Sequence, residues 1–133
     1  MRWFLPLPIC LSACESPCST EVRQVARDPG TDRYAVTEVR NCGATADFAT
    51  VVRVGRASQA QDDADEVFVA DSNPGEATDG TNGAIWTSVV WTRPGELSIA
   101  YPSGARVFER VVTAKGAAIT FKATDPYEAP PMP

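Results

Sequence analysis

The chain has 133 residues, 12 Lys and Arg against 17 Asp and Glu, and no His, for a formal net charge of -5 at neutral pH. That length suits one domain with a modest core, and the acidic balance argues against nucleic acid as a partner and against an electrostatic grip on anionic lipid. Absence of His excludes Ser-His-Asp and Cys-His catalysis and removes the commonest metal ligand.

The first residues read as an export leader. Arg2 supplies positive charge, and Trp3, Phe4, Leu5, Leu7, Ile9 and Leu11 form a short apolar run interrupted by Pro6 and Pro8. The run is too short to span a bilayer, which takes about 20 apolar residues. It ends in Leu11-Ser12-Ala13-Cys14, the pattern of a bacterial lipoprotein cleavage site. The expectation is that Met1 to Ala13 is a signal peptide and that Cys14 carries lipid. Residues 14–20 would then be a tether on a membrane the domain does not cross. More than one acyl chain makes such an anchor effectively stable. The competing reading is a buried N-terminal segment with a chance Cys. Glu15 stands where an Asp would signal inner-membrane retention, so the periplasmic face of an outer membrane is favoured for a Gram-negative source.

Of the four Cys, Cys10 leaves with the leader and Cys14 takes the lipid, leaving Cys18 and Cys42 as an even pair in an oxidising compartment. A disulfide between them is expected, with a loop-closure contribution of about 3 kcal/mol. Two free buried thiols or a metal pair are the alternatives.

From residue 21 to 124 the pattern is strand after strand. Glu21 to Arg27 leads into the turn Asp28-Pro29-Gly30, where Pro fixes φ and Gly permits positive φ. Arg33 to Asn41 is the second strand, and Phe48 to Val54 the third, with Phe48, Val52 and Val54 on one face. In Glu66 to Ala70, Val67 and Val69 alternate against Phe68. Asp71 to Gly83 is a long polar loop. Ile85 to Thr92, apolar on both faces, is expected to be central. Glu96 to Tyr101 follows the turn at Arg93-Pro94-Gly95 and points Leu97, Ile99 and Tyr101 inward. Val107 to Val112 and Ala117 to Lys122 are expected to form a closing hairpin around Ala114-Lys115-Gly116. Residues 125–133, rich in Pro, read as a disordered tail. Short β runs separated by Gly and Pro turns predict an all-β fold, a single antiparallel sandwich or meander of about seven to eight strands.

Two stretches carry a resemblance. Arg40-Asn41-Cys42-Gly43-Ala44-Thr45-Ala46-Asp47-Phe48 resembles the C-G-A-T-T-x-F-S-T segment of a family of small, uncharacterised bacterial proteins, many with lipoprotein leaders. Leu97 to Pro102 with Gly104 to Phe108 resembles that family's closing strands. Its members tend to carry a Cys just after the leader, here Cys18. The likeness departs at Ala46, Ala49 and the 71–83 loop. It implies fold and address, and no catalytic residue or cofactor.

Other candidate chemistry is sparse. A Ser/Lys dyad would need Lys115 or Lys122, one in a turn and the other near a strand end. Glu38, Glu96, Glu109 and the aspartates are the candidates for a carboxylate pair, but no spacing selects one. Asp62-Asp63-Ala64-Asp65-Glu66 is an acidic cluster. Asp71, Asn73 and Asp79 offer calcium ligands in the polar loop, without matching an EF-hand. The bland reading of that loop is a solvated connection. Trp86 and Trp91, five residues apart, would face opposite ways, one core and one open to a ligand or partner. Cys42-Gly43-Ala44-Thr45 is either a close-approach site or a turn beside the disulfide. The sequence thus favours a non-enzymatic, membrane-anchored envelope lipoprotein that touches protein or cell-wall partners and uses no cofactor. A small-ligand or calcium module using the 71–83 loop is the second reading, and a hydrolase with an unrecognised carboxylate site the third.

Overall fold

The computed structural model describes residues 18–43, 48–73 and 84–124. The leader, Cys14, most of the tether, Asp79 with most of the 71–83 loop, residues 44–47 and the Pro-rich tail lie outside the described residues.

Among the described residues nine strands form two facing sheets. These are β1 (Ser19–Arg27), β2 (Arg33–Asn41), β3 (Ala49–Arg56), β4 (Asp65–Asp71), β5 (Ser88–Arg93), β6 (Glu96–Tyr101), β7 (Arg106–Arg110), β8 (Thr113–Ala114) and β9 (Ala117–Ala123). A five-stranded sheet runs β1-β2-β3-β4-β7, and a four-stranded sheet runs β5-β6-β9-β8. The all-β sandwich expected from the sequence is what the chain forms. One pair departs from the antiparallel pattern, because β6 and β9 are parallel.

The core follows from period-two alternation. On β2, Ala35, Thr37 and Val39 are buried while their neighbours are half-exposed. On β6, Leu97, Ile99 and Tyr101 turn inward as expected. They meet Val52, Val54, Val67, Phe68, Val89, Trp91 and Ile119 in one cluster. Phe68 stacks on Phe121 and tilts against Tyr101, with ring centroids 5.8 and 5.1 Å away.

Register shifts interrupt four strand pairs, and those at Val67 and Arg23 reset which residues face the core. Arg53 pairs with Glu66 and Val52 with Phe68, so Val67 is an extra residue on β4. Val67 and Phe68 are therefore both buried in the core, whereas alternation set them on opposite faces. On β1, Val22 pairs with Glu38 and Gln24 with Thr37, which leaves Arg23 extra.

Three expectations are corrected. The Ile85–Thr92 segment is not central: its regular part, β5, is an edge strand. Its two-sided apolarity reflects Val89 and Trp91 inside and Val90 half exposed outside. The 107–112 segment does not form a hairpin with 117–122. It switches sheets instead, because β4 has a free edge to fill. β7 pairs with β4, and past Val111, whose amide donates to the Val67 carbonyl at 2.9 Å, the chain crosses to β9. The hairpin that does form joins β8 to β9 through Lys115 and Gly116, both at positive φ (53° and 79°), as a two-residue turn of this hand requires. Finally, Gly30 is not at positive φ. The Asp28 side chain makes that turn, accepting from the Gly30 amide at 3.0 Å, and Gly30 is needed because a Cβ there would meet Pro94 Cγ at 2.7 Å.

Candidate functional site

The turn end of the sandwich is held by a polar clasp. Asp28 is 4% exposed, and its carboxylate accepts from the amides of Gly30 (3.0 Å) and Gly95 (2.9 Å), the Thr31 hydroxyl (2.9 Å) and Arg33 Nη1 (3.2 Å). Burial alone would raise its pKa, but these donors hold it below the usual carboxylate value. Arg33 Nε (2.8 Å) and Arg56 Nη2 (3.0 Å) both donate to the Lys115 carbonyl. Arg56 also pairs with Asp32 at 2.7 Å. The Ser58 hydroxyl at 2.6 Å, together with Arg56, lowers Asp32 to about 2. Turns from both sheets thus meet on side chains of the β1–β2 connection.

Beside this clasp, on the outer face of the five-stranded sheet, lies a groove of about 620 Å³. Its floor is Val22, Val25, Tyr34 and Val36, and the 57–64 segment with its single 3₁₀ turn (Gln61–Asp63) forms one wall. The bulge at Arg23 builds this floor. Val22 and Val25, three residues apart, would otherwise face opposite ways, but the extra residue turns both outward, where they are 55% and 48% exposed. Tyr34 pairs across the strands with Gly55, and its ring lies over that glycine: a Cβ on Gly55 would come 2.6 Å from the Tyr34 Oη. Around the floor stand Arg27, Arg53, Arg56, Gln59, Gln61 and Asp62. Arg53 approaches Glu38 only at 4.0 Å, and Arg27 has no ion-pair partner among the described residues.

At the opposite end Cys18 and Cys42 form a disulfide. The pairing of Ser19 with Asn41 sets the two Cys opposite each other, so the bond closes the open end of the β1–β2 hairpin. Gly43, at φ 129°, turns the chain just after it, with its amide donating to Asn41 Oδ1 at 3.1 Å. Near this end a second cavity of about 330 Å³ opens between the sheets, lined by Arg23, Gln24, Thr37, Val39, Thr50, Ala84, Ile85, Trp86 and Thr87. Among the described residues the hydroxyls of Thr37 and Thr50, buried there, have no hydrogen-bond partner.

The other residues singled out by sequence are dispersed. Asp71 is buried, and both its oxygens accept from Arg106, at 3.1 and 2.7 Å, while the Asn73 amide donates at 2.8 Å. Burial would raise this carboxyl, yet Arg106 and the Asn73 amide leave it lowered. A calcium ion at Asp71 would have to displace a guanidinium, and Asp79 lies outside the described residues. Among the described residues no group of three or more Cys, Asp or Glu side chains is arranged to hold a metal. Glu38, Glu96 and Glu109 sit on β2, β6 and β7, which are not neighbours in either sheet. Lys115 sits in its turn as expected, 3.9 Å from Asp65, and Lys122 is exposed on β9. Trp91 is core, its indole donating to the Ala26 carbonyl at 2.9 Å and closing the seam between the two sheet edges. Trp86 is half-buried at the second cavity, outside the regular strand.

Sequence reasoning missed the clasp and the groove. The one available signal for the groove was apolar residues three apart, Val22 and Val25, within a β run. Compared with protein-family models, curated proteins and solved structures, the chain matches none of them.

Proposed function

We propose that this chain is an envelope lipoprotein, anchored through lipid on Cys14, that acts without catalysis by touching a protein or cell-wall partner with the outer face of its five-stranded sheet. The proposal includes membership of the lipoprotein family that the segment around Cys42 resembles. Exposure of Val22 and Val25 on the floor of the groove carries this reading, because apolar side chains grouped on one face of a sheet mark contact surfaces. The address rests on the Leu11-Ser12-Ala13-Cys14 pattern. Only three residues separate Cys14 from Cys18, so the disulfide end would sit within about 14 Å of the lipid, at roughly 3.5 Å per residue. β1 then runs its nine residues, about 30 Å, toward the clasp. The groove would face the envelope space from the far part of the domain.

Photocrosslinking in a bacterial envelope tests this. A crosslinking residue at Val25 is expected to capture one discrete envelope component. The same residue at Val90, on the outer face of the other sheet, serves as the control. Equal, diffuse labelling from both positions would overturn the assignment of the working face.

The inter-sheet cavity beside Trp86 supports a second reading, a small-ligand module. In that case ligand would change Trp fluorescence and leave Val25 crosslinking untouched.

A further inference from the structure

We infer that the groove on the five-stranded sheet takes an acidic saccharide, with one sugar ring lying on Tyr34 and its carboxylate held by Arg27. This rests on the reading that the same face is the working surface and names the chemistry of what it holds.

Gly55 lacks a side chain opposite Tyr34, and the tyrosine ring fills that space, lying across the sheet rather than standing off it. A half-buried ring held in this way offers a flat apolar surface with a negative π face. The C–H face of a pyranose ring is flat, apolar and slightly positive, and it complements that surface. Val22, Val25 and Val36 extend the apolar floor beside the ring.

The rim supplies a different chemistry. Arg27, Glu38, Arg53, Gln59, Gln61 and Asp62 are planar, hydrogen-bonding side chains at the edges of the groove. Such groups match the paired donors and acceptors of neighbouring sugar hydroxyls better than they match an apolar peptide. The volume, about 620 Å³, lies within the usual span of small-ligand clefts, about 300–1,000 Å³.

Charge selects among saccharides. The whole chain carries -5, yet three arginines face two carboxylates in this groove. Arg56 is committed to Asp32 and the Lys115 carbonyl, and Arg53 lies near Glu38. Arg27 is exposed and lacks an ion-pair partner among the described residues. A guanidinium in that state matches a carboxylate in a forked, two-bond geometry. A carboxylate-bearing sugar satisfies the ring, the rim and the unpaired cation together.

The test uses the full chain in detergent micelles and calorimetric titration with three probes. These are a tetrasaccharide of alternating uronic acid and N-acetylhexosamine, the neutral tetramer of N-acetylglucosamine, and the peptide Ser-Glu-Ser-Glu. The uronate tetrasaccharide is expected to bind at least about tenfold more tightly than either control. Arg27→Gln, at an exposed position, should leave the fold intact and erase that preference. Tyr34→Phe should keep binding, and Tyr34→Leu should lose it with the melting temperature tracked in parallel. Absence of saccharide binding at millimolar concentration, or equal binding of the acidic peptide, overturns the inference. If Val25 still captures a discrete component in that case, the saccharide assignment alone has failed. If Val25 also captures nothing, the working face itself is wrong.

Discussion

The two ends of this sandwich are closed by different means. At the turn end, four chain reversals converge on Asp28, Asp32, Arg33 and Arg56, and nearly every donor and acceptor in the clasp is used. At the other end one covalent bond, Cys18–Cys42, ties β1 to β2, and the sheets part around a cavity with two threonine hydroxyls that have no partner among the described residues. The comparison teaches that the chain uses charge where loops from both sheets must be fixed, and a crosslink where the described strands come to an end. In the proposed orientation the crosslinked end stands next to the membrane.

Breaking the clasp should have the largest effect. Asp28→Ala strands two amides and the Arg33 guanidinium in a buried setting. Removing one partner of such a pair typically costs about 3–5 kcal/mol, and denaturant titration should show a loss of that order. Breaking the other end comes next. Replacing Cys18 and Cys42 with Ser should lower stability by about 3 kcal/mol through the unfolded chain. Hydrogen exchange should then rise around Ser19 and Asn41 while the Asp28 turn stays protected. Reductant should reproduce the loss in the native chain and leave the double variant unchanged.

The hollow end offers the opposite sign. Thr37→Val and Thr50→Val each remove a buried hydroxyl that has no partner among the described residues. Each should be neutral or stabilising by up to about 1 kcal/mol, seen as an unchanged or raised denaturation midpoint. If either variant is strongly destabilised, the hydroxyl has a partner after all and the contrast between the ends weakens.

The smallest effect is set by pH. Asp32 is lowered to about 2, so its contribution is complete above the unfolded value near 4 and fades as pH falls from about 4 toward 2. Asp28 and Asp71, also lowered, act in the same direction. The stability difference between the native chain and Asp32→Asn should therefore be flat above pH 4 and shrink below it. A difference that grows on acidification would contradict the assignment.

Much of this architecture was legible in the sequence because it is local. Alternation pointed Leu97, Ile99 and Tyr101 into the core and set Val52 and Val54 on one face, and Asp28-Pro29-Gly30 and Pro94-Gly95 marked real turns. The Cys count paired Cys18 with Cys42 before any register was known. What escaped was long-range. The run from Val107 to Ala114 carries no local mark of changing sheets at Val111, because the cause is the open edge of β4, nearly forty residues earlier in the chain. The bulges at Arg23 and Val67 depend on a partner strand in the same way. The groove inherits this difficulty, since Tyr34 and Gly55 become neighbours only through the β2–β3 register. Asp28 read as a turn residue, and its contact with the Gly95 amide became visible only in three dimensions.

The orientation of the domain follows from which end is tied down. Mass spectrometry of the N-terminal peptide, from protein made in a bacterial host that processes lipoproteins, tests that most directly. The expected peptide begins at Cys14 and carries diacylglycerol on the sulfur with a third acyl chain on the nitrogen. A peptide that retains Leu11-Ser12-Ala13 and a free Cys14 thiol would contradict the account.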